Sequence, residues 1–171
     1  KILYYVGGVD SWLFPRFDSN IPTPTTGNFA YQAVAPNLRG FQMNIRNGNS
    51  YLLTNAELRM APFRYLSRNL RSNFLRNFQI VGFLDIGTAW QGPTPFTDEN
   101  PLNTKIIPDP LPPGTPIWVK VKYFRDPIVV GYGMGFRTLL FGYFFRVDYG
   151  WGIETREVQK PRLYFALGTD F

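Results

Sequence analysis

The chain has 171 residues, with 18 Lys and Arg against 12 Asp and Glu for a net charge of +6, and it contains no cysteine and no histidine. Disulfides, thiol nucleophiles, histidine bases and the usual zinc ligands are therefore excluded, and most familiar hydrolase mechanisms with them. No run approaches the roughly 18 apolar residues of a membrane-spanning helix, and the opening KILYYVGG lacks the regions of a signal peptide. We predict neither an enzyme nor a bound cofactor or metal.

The basic surplus and the aromatic content limit the partners. A net charge of +6 is compatible with nucleic acid, anionic lipid headgroups or lipopolysaccharide as a neighbour. The arginines are spread among aromatic segments, with one denser stretch in RYLSRNLRSNFLRNF, so the basic patch of a nucleic-acid-binding protein is poorly matched. We expect no nucleic acid partner. The aromatic fraction of 18% instead favours strands with one apolar face.

The first part of the chain predicts two strands separated by a long connection. Residues 2–13 form the first strand, without a clear assignment of its faces, and residues 15–49 lead to the next. Residues 50–60 alternate, because the even positions are mostly apolar and the odd positions become polar towards the end. The even set is Leu52, Thr54, Ala56, Leu58 and Met60, and the odd set is Tyr51, Leu53, Asn55, Glu57 and Arg59.

Four further runs alternate in the same way and bring the predicted number of strands to about six. They cover residues 78–90, 128–137, 143–153 and 163–171, and each sets an apolar face against a polar or glycine-rich one. The polar faces include Asp85 and Gly87, then Gly131, Gly133, Gly135 and Arg137, and then Arg146, Asp148, Gly150 and Gly152.

The connections between these strands differ in length. Residues 15–49 and 91–127 are long, residues 63–77 are intermediate, and the turn at residues 140–142 is tight. Outer-membrane barrels have long external loops and short periplasmic turns, which places residues 91–127 outside. Glycine, arginine and aspartate on the polar faces fit a lumen better than a soluble surface. The sequence therefore predicts an all-β, transmembrane antiparallel β-barrel, with a soluble β-sandwich or lipocalin-like barrel as the alternative.

The connection LSRNLRSNFLRNF allows two interpretations. Leu66, Leu70, Phe74 and Phe78 recur at helical spacing with arginines between them, which is typical of an amphipathic basic helix on a membrane surface. The same residues also suit a solvated basic turn that leads into the next strand. We favour the turn.

Several short motifs follow one another in a fixed order. They are LRGF, NAELRMAP, FLDIGTAW, VVGYGMGFR, FFRVDYGWG and LYFALGTDF. This ordered set resembles the C-terminal part of the BamA-type, or bacterial surface antigen, superfamily of outer-membrane barrels, in which a (V/L)RG(F/Y) motif lies on a loop folded into the lumen. The resemblance implies that residues 1–171 supply about six of sixteen strands, one before the motif loop and five after it. The other strands and the N-terminal periplasmic modules would come from elsewhere.

The motif loop needs a fixed attachment if it folds into a polar lumen. A guanidinium group forms bidentate charged hydrogen bonds with carboxylates, and Glu57 and Asp85 both lie on the predicted polar faces, so Arg39 has two candidate partners. A glycine after it would let the backbone approach the wall, and the next aromatic ring would pack against the glycine-rich lining. The predicted lumen-loop anchor consists of Arg39, Gly40, Phe41, Glu57 and Asp85, with Gly87 from the F-x-D-x-G pattern of the resemblance.

The last motif resembles the β-signal by which nascent barrels are recognised. In this family the first and last strands meet weakly, so an exposed backbone edge can template a substrate strand. The resemblance implies that residues 163–171 form one side of this seam, with a weak point at the glycine. The predicted seam residues are Leu163, Phe165, Leu167, Gly168 and Phe171.

The resemblance implies a protein of the bacterial outer membrane that takes part in the insertion or translocation of outer-membrane or exported proteins. Its expected partners are outer-membrane lipid and lipopolysaccharide, nascent or exported substrate proteins, the remaining barrel strands and N-terminal periplasmic modules. Two other functions stay open. One is a passive pore or the membrane-anchoring barrel of a larger fused protein, and the other is a soluble β-sandwich binding module.

Overall fold

The computed structural model describes residues 1–8, 13–24, 28–66, 71–98, 100–107, 113–114 and 117–168. This part of the chain is all-β with mainly antiparallel sheets, as the alternation predicts, and it also contains two short helices. Within the same residues, none of the helices has the length and hydropathy that a membrane crossing requires.

The described residues form eleven strands and two helices. The strands are β1 (Ile2–Gly7), β2 (Tyr31–Asn37), β3 (Arg46–Gly48), β4 (Ser50–Met60), β5 (Gln79–Trp90), β6 (Thr104–Ile107), β7 (Val119–Lys122), β8 (Val129–Leu140), β9 (Tyr143–Glu154), β10 (Glu157–Val158) and β11 (Arg162–Gly168). The helices are α1 (Pro62–Leu66) and α2 (Asn73–Asn77).

The main sheet has the order β10-β9-β8-β5-β4, and β11 pairs with another stretch of β9. All neighbouring strands in it are antiparallel. In the part of the chain that the structure describes, the outer edges of β4 and β11 have no partner strand, so the sheet is open and does not close into a barrel.

The connections place short and long segments at opposite ends of the main sheet. Phe141 and Gly142 join β8 to β9 with φ values of +51° and +86°, as in the two-residue hairpin turn that matches the strand twist. The helices α1 and α2 join β4 to β5 at this same end. The long segment before β8, which includes the β6–β7 hairpin, lies at the other end.

The connection between β4 and β5 is more ordered than the favoured prediction of a solvated turn. Leu66 ends α1 and Phe74 lies in α2, but Ser72 has an extended backbone, with φ −81° and ψ 121°. The residues at helical spacing therefore do not form one continuous helix. Leu70 lies outside the described residues.

A separate sheet with the order β2-β1-β3 carries the first strand. The prediction that residues 2–13 add a strand to the barrel wall is wrong, because β1 pairs with β2 in parallel and with β3 in antiparallel orientation, not with the main sheet. Leu3 and Val6 are 4% and 0% exposed. A strand that is covered on both faces has no reason to alternate, which explains why its faces could not be assigned.

The main sheet buries its polar face and exposes its apolar face. We call the face with Asp85, Arg137 and Asp148 the inner face, and these residues are 0%, 2% and 0% exposed. On the opposite, outer face, Leu84 and Met134 are 45% and 60% exposed. The apolar core is small and lies on the inner side, where the loop and the separate sheet pack: Val6, Ile21, Ala35, Leu38, Phe41, Ile45, Ala89 and Val129.

Candidate functional site

The segment with the LRGF motif lies against the inner face of the main sheet. Leu38, Arg39 and Phe41 are 0%, 3% and 2% exposed, so the motif is fully covered. Gly40 has φ +96°, a conformation that side chains disfavour, and a Cβ on it would overlap the backbone of Trp151 in β9. The glycine therefore lets the loop backbone touch the sheet, as the sequence predicts.

Arg39 binds Asp85 in β5 through the edge of its guanidinium group that carries Nε and Nη2. Its Nε donates to Oδ2 of Asp85 at 2.7 Å and its Nη2 donates to Oδ1 at 2.7 Å, while the backbone N–H of Arg39 donates to Oδ2 at 3.0 Å. Asp85 is completely buried. This bidentate, charged geometry is the strongest that the arginine side chain forms with a carboxylate.

Glu57 in β4 completes the attachment and links it to other arginines. Nη1 of Arg39 donates to Oε1 of Glu57 at 2.5 Å. Both oxygens of Glu57 also accept from Arg137 at 2.8 and 2.9 Å, and Oε2 accepts from Arg59 at 2.7 Å. The carboxylate of Asp148 stands 3.5 Å from Nη1 of Arg39. The two contacts predicted for Arg39 are thus present, within a larger charged group that we call the Arg39 cluster: Arg39, Glu57, Asp85, Arg137 and Asp148.

The pairing of β4 with β5 explains why both carboxylates reach the same arginine. Asn55 lies opposite Asp85 and Glu57 lies opposite Phe83, so the two carboxylates are diagonal neighbours on one face. The ring of Phe83 supports the guanidinium group, whose Cζ lies 3.8 Å from the ring centroid. Burial alone would lower the pKa of Arg39, but Asp85 and Glu57 outweigh it and raise that pKa above its ordinary value, so the side chain stays charged.

Glycines on the inner face form the seat of the loop. A Cβ on Gly131 in β8 would overlap the carbonyl oxygen of Arg39, and a Cβ on Gly152 in β9 would press on the ring of Phe41. Gly87 in β5 lies under the side chain of Leu38. The glycine-rich polar face therefore leaves room for the loop backbone, and Phe41 packs on a glycine as predicted.

Tyr164 ties the last strand to the loop. Its hydroxyl group accepts a hydrogen bond from the backbone N–H of Gly40 at 2.8 Å and donates one to the carbonyl oxygen of Phe41 at 2.7 Å. The residue is 3% exposed and belongs to β11. The sequence prediction omits it, and its position on the polar face between Leu163 and Phe165 is the signal that could have found it.

The predicted seam residues have mixed environments. Leu163 is 48% exposed, Phe165 packs edge-on against Phe145 in β9 with ring centroids 4.8 Å apart, and Leu167 and Gly168 pair with β9. Phe171 lies outside the described residues. The described part of the seam is thus an antiparallel strand paired with β9, and its role as a template for a substrate strand stays a prediction.

Arg46 in β3 makes a second buried attachment that the sequence prediction missed. Nη1 donates to Glu154 at 2.8 Å, Nη2 donates to the carbonyl oxygen of Asp126 at 2.7 Å, and Nε donates to that of Pro127 at 3.2 Å. The residue is 1% exposed, and this burial lowers the pKa of Arg46 despite the carboxylate of Glu154. This contact fixes the loop-bearing sheet to the ends of β8 and β9.

The chemistry of these residues is that of attachment. In the Arg39 cluster each carboxylate faces at least one guanidinium group within 4 Å. Across the described ranges, no group of three or more Asp, Glu, His or Cys side chains is placed to hold a metal ion. The cluster therefore acts as a buried ionic lock between a loop and a sheet.

No protein-family model matches this chain, and neither a curated protein nor a solved structure matches it. The family prediction therefore depends on the ordered sequence motifs.

Proposed function

We propose that this chain forms part of the wall of a BamA-like barrel in the bacterial outer membrane, and that it takes part in the insertion or translocation of other proteins. The open edge of β11 would pair with a substrate strand, and the loop held by Arg39 would keep the barrel interior in place. No cofactor is required. The remaining wall strands would continue the sheet from the free edge of β4, and the first strand of the barrel would meet β11 only weakly, so that the two can part for a substrate strand.

One observation carries the membrane part of this proposal, namely the inverted burial of the main sheet. Leu58, Leu84 and Met134 are 67%, 45% and 60% exposed on the outer face, whereas Asp85 and Asp148 are completely buried on the inner face. Soluble proteins rarely expose a contiguous apolar surface of this kind. In a membrane barrel the same arrangement is expected, because lipid solvates the outer face and the lumen is polar.

Strand length supports the same location. The strands β4, β5, β8 and β9 have 11 or 12 residues each. At about 3.4 Å per residue and a tilt of about 45° they rise roughly 26–29 Å, close to the height of the apolar band of a membrane barrel. A row of aromatic rings also crosses the outer face near the tight turn: Phe78, Phe136, Phe145 and Phe165. Such rows lie at the membrane boundary.

The loop and the edge favour an assembly function over a pore. The LRGF segment occupies the inner face, so it obstructs the space that a pore would need. The described part of β11 leaves one row of backbone N–H and C=O groups unpaired on its outer edge. An unpaired edge in an apolar environment is a template for another strand.

A substitution on the outer face tests the membrane location. Leu84→Arg should destabilise the protein in lipid by about 2–4 kcal/mol, since a charge would enter the apolar band, whereas in a soluble sandwich an exposed position tolerates arginine within about 0.5 kcal/mol. Urea unfolding of the native protein in vesicles measures the difference. Light scattering with and without detergent provides the second readout, and a monodisperse protein in plain buffer would contradict the membrane location.

Crosslinking from the last strand tests the assembly function. A photoreactive residue at Leu163, on the edge strand, should capture nascent outer-membrane proteins in cells, whereas the same residue at Tyr132, in the middle of the sheet, should not. Capture at neither position, together with steady ionic conductance of the purified protein, would replace the assembly function with a passive pore.

A further inference from the structure

The connection between β4 and β5 is the most basic part of the chain that the Arg39 cluster does not use. Residues 61–78 contain four arginines and no aspartate or glutamate. In the described parts of this segment, Arg64, Arg71 and Arg76 are exposed. Tyr65 and Leu66 beside them are 87% and 85% exposed. Positive charge and exposed apolar surface therefore lie side by side.

The α2 end of this connection packs on the outer face of the main sheet. The hydroxyl group of Thr138 in β8 donates to the carbonyl oxygen of Phe74 in α2 at 3.1 Å. Phe78, the residue after α2, stacks on Phe136 of β8 with ring centroids 5.9 Å apart. Thr138 and Phe136 alternate with Arg137, whose side chain points to the inner face. The helix α2 thus lies on the apolar side of the sheet and not in the lumen.

Other exposed aromatic residues lie at the same end. Phe141, in the tight turn between β8 and β9, is 92% exposed, and Tyr143 at the start of β9 is 55% exposed. Aromatic and basic side chains together at the end of an apolar wall are typical of the headgroup layer of a bilayer.

We propose that α1, α2 and the tight turn rest in the headgroup layer of the membrane, and that Arg64, Arg71 and Arg76 bind anionic phospholipid headgroups there. This surface, the lipid foot, is continuous with the exposed apolar face and rests on the proposed membrane location. Its occupant is a lipid surface because the arginines flank exposed Tyr65 and Leu66, which a bilayer covers in the same contact. The absence of acidic residues from residues 61–78 favours a negative partner.

The test compares vesicles of phosphatidylcholine with vesicles that also contain phosphatidylglycerol, using the native protein and urea unfolding. Each arginine near an anionic surface contributes about a fivefold preference, so the three should favour folding in the anionic vesicles on the order of 100-fold. Replacing Arg64, Arg71 and Arg76 by glutamine should abolish this preference, and replacing them by lysine should keep it. The matched control removes Lys105, Lys120 and Lys122 from the β6–β7 hairpin at the other end, and it should retain the preference.

A second readout reports the position of the foot directly. These 171 residues contain no cysteine, so a Tyr65→Cys variant can be labelled here with an environment-sensitive dye. Its emission should shift to the blue on insertion, whereas a dye at Ile117 in the opposite long connection should stay solvent-like.

The outcomes separate this inference from the proposed function. If the wild type folds in vesicles with no preference for anionic lipid, the lipid foot is wrong and the membrane barrel stands. If removal of Lys105, Lys120 and Lys122 lowers the preference as much as replacement of the three arginines by glutamine, the overall charge of the protein and not this surface causes the preference. That result also overturns the inference. A dye at residue 65 that stays water-exposed in anionic vesicles would also overturn the inference. If the wild type enters neither kind of vesicle, the membrane location itself fails.

Discussion

Replacement of Arg39 should affect its two carboxylate partners, Asp85 and Glu57, to different degrees. Asp85 takes its side-chain hydrogen bonds from Nε, Nη2 and the backbone N–H of Arg39. Glu57, in contrast, also holds Arg137 and Arg59. Arg39→Met therefore leaves Asp85 buried with one backbone donor, which should cost about 3–5 kcal/mol, while Glu57 remains neutralised.

A double-mutant cycle measures how much more strongly Asp85 than Glu57 is coupled to Arg39. In the Arg39→Met background, Asp85→Asn removes the unpaired buried charge. The double mutant should therefore lose about 2–3 kcal/mol less unfolding free energy than the sum of the two single mutants. The matched cycle with Glu57→Gln should give a coupling of about 1 kcal/mol or less, because Glu57 keeps its other arginines. Urea unfolding of the native protein in micelles measures both couplings.

Two results would refute this reasoning. Equal couplings for Asp85 and Glu57 would mean that the bidentate contact does not control the energetics of the Arg39 cluster. An Arg39→Met variant with wild-type stability would mean that the ionic lock contributes nothing to the fold. The charge-reversal pair gives an independent check, since Arg39→Glu should impair folding and Asp85→Arg should restore part of it.

Three further substitutions test the rest of the site. Tyr164→Phe should lower the free energy of unfolding by about 1–3 kcal/mol, since two buried backbone groups lose their partner, while Tyr149→Phe on the outer face should change it little; thermal unfolding compares them. Gly131→Ala should destabilise by about 1–3 kcal/mol and expose the loop to protease, because its Cβ would overlap the loop backbone, whereas Gly82→Ala, with no neighbour within 4 Å, should not. Arg46→Gln should cost about 2–4 kcal/mol by leaving the partly buried carboxylate of Glu154 and three carbonyl groups short of donors; an unchanged urea midpoint would mean that this contact does not stabilise the fold.

The main sheet was predictable because it follows from a period of two. The partners of Arg39 followed from that period together with the family resemblance, which implied that the LRGF loop folds against the polar faces. Alternation puts Glu57 and Asp85 on the polar faces of consecutive strands, and antiparallel pairing of neighbours then makes them diagonal neighbours. The glycines of β8 and β9 stand on the same face for the same reason. Local periodicity thus identified the main sheet and the glycine-rich lining of the site.

The contacts of Tyr164 and Arg46 and the separate sheet depend on how distant segments dock, which periodicity does not encode. The contact of Tyr164 with Gly40 spans 124 positions along the chain, and that of Arg46 with Glu154 spans 108. The separate sheet was missed because β1 is covered on both sides and therefore lacks alternation. Each miss involves a segment that packs against a part of the chain far away in sequence, and only the three-dimensional arrangement reveals which residues it meets.

The hydroxyl group of Tyr164 makes the position of the loop and the pairing of the last strand two linked equilibria. Because this one group holds the backbone of Gly40 and Phe41, an event that pulls β11 away from β9 must also weaken the docking of the loop. Linkage is reciprocal, so a loop that leaves its glycine seat loosens β11 by the same free energy. The docking of the LRGF loop and the pairing of β11 with β9 therefore strengthen or weaken together.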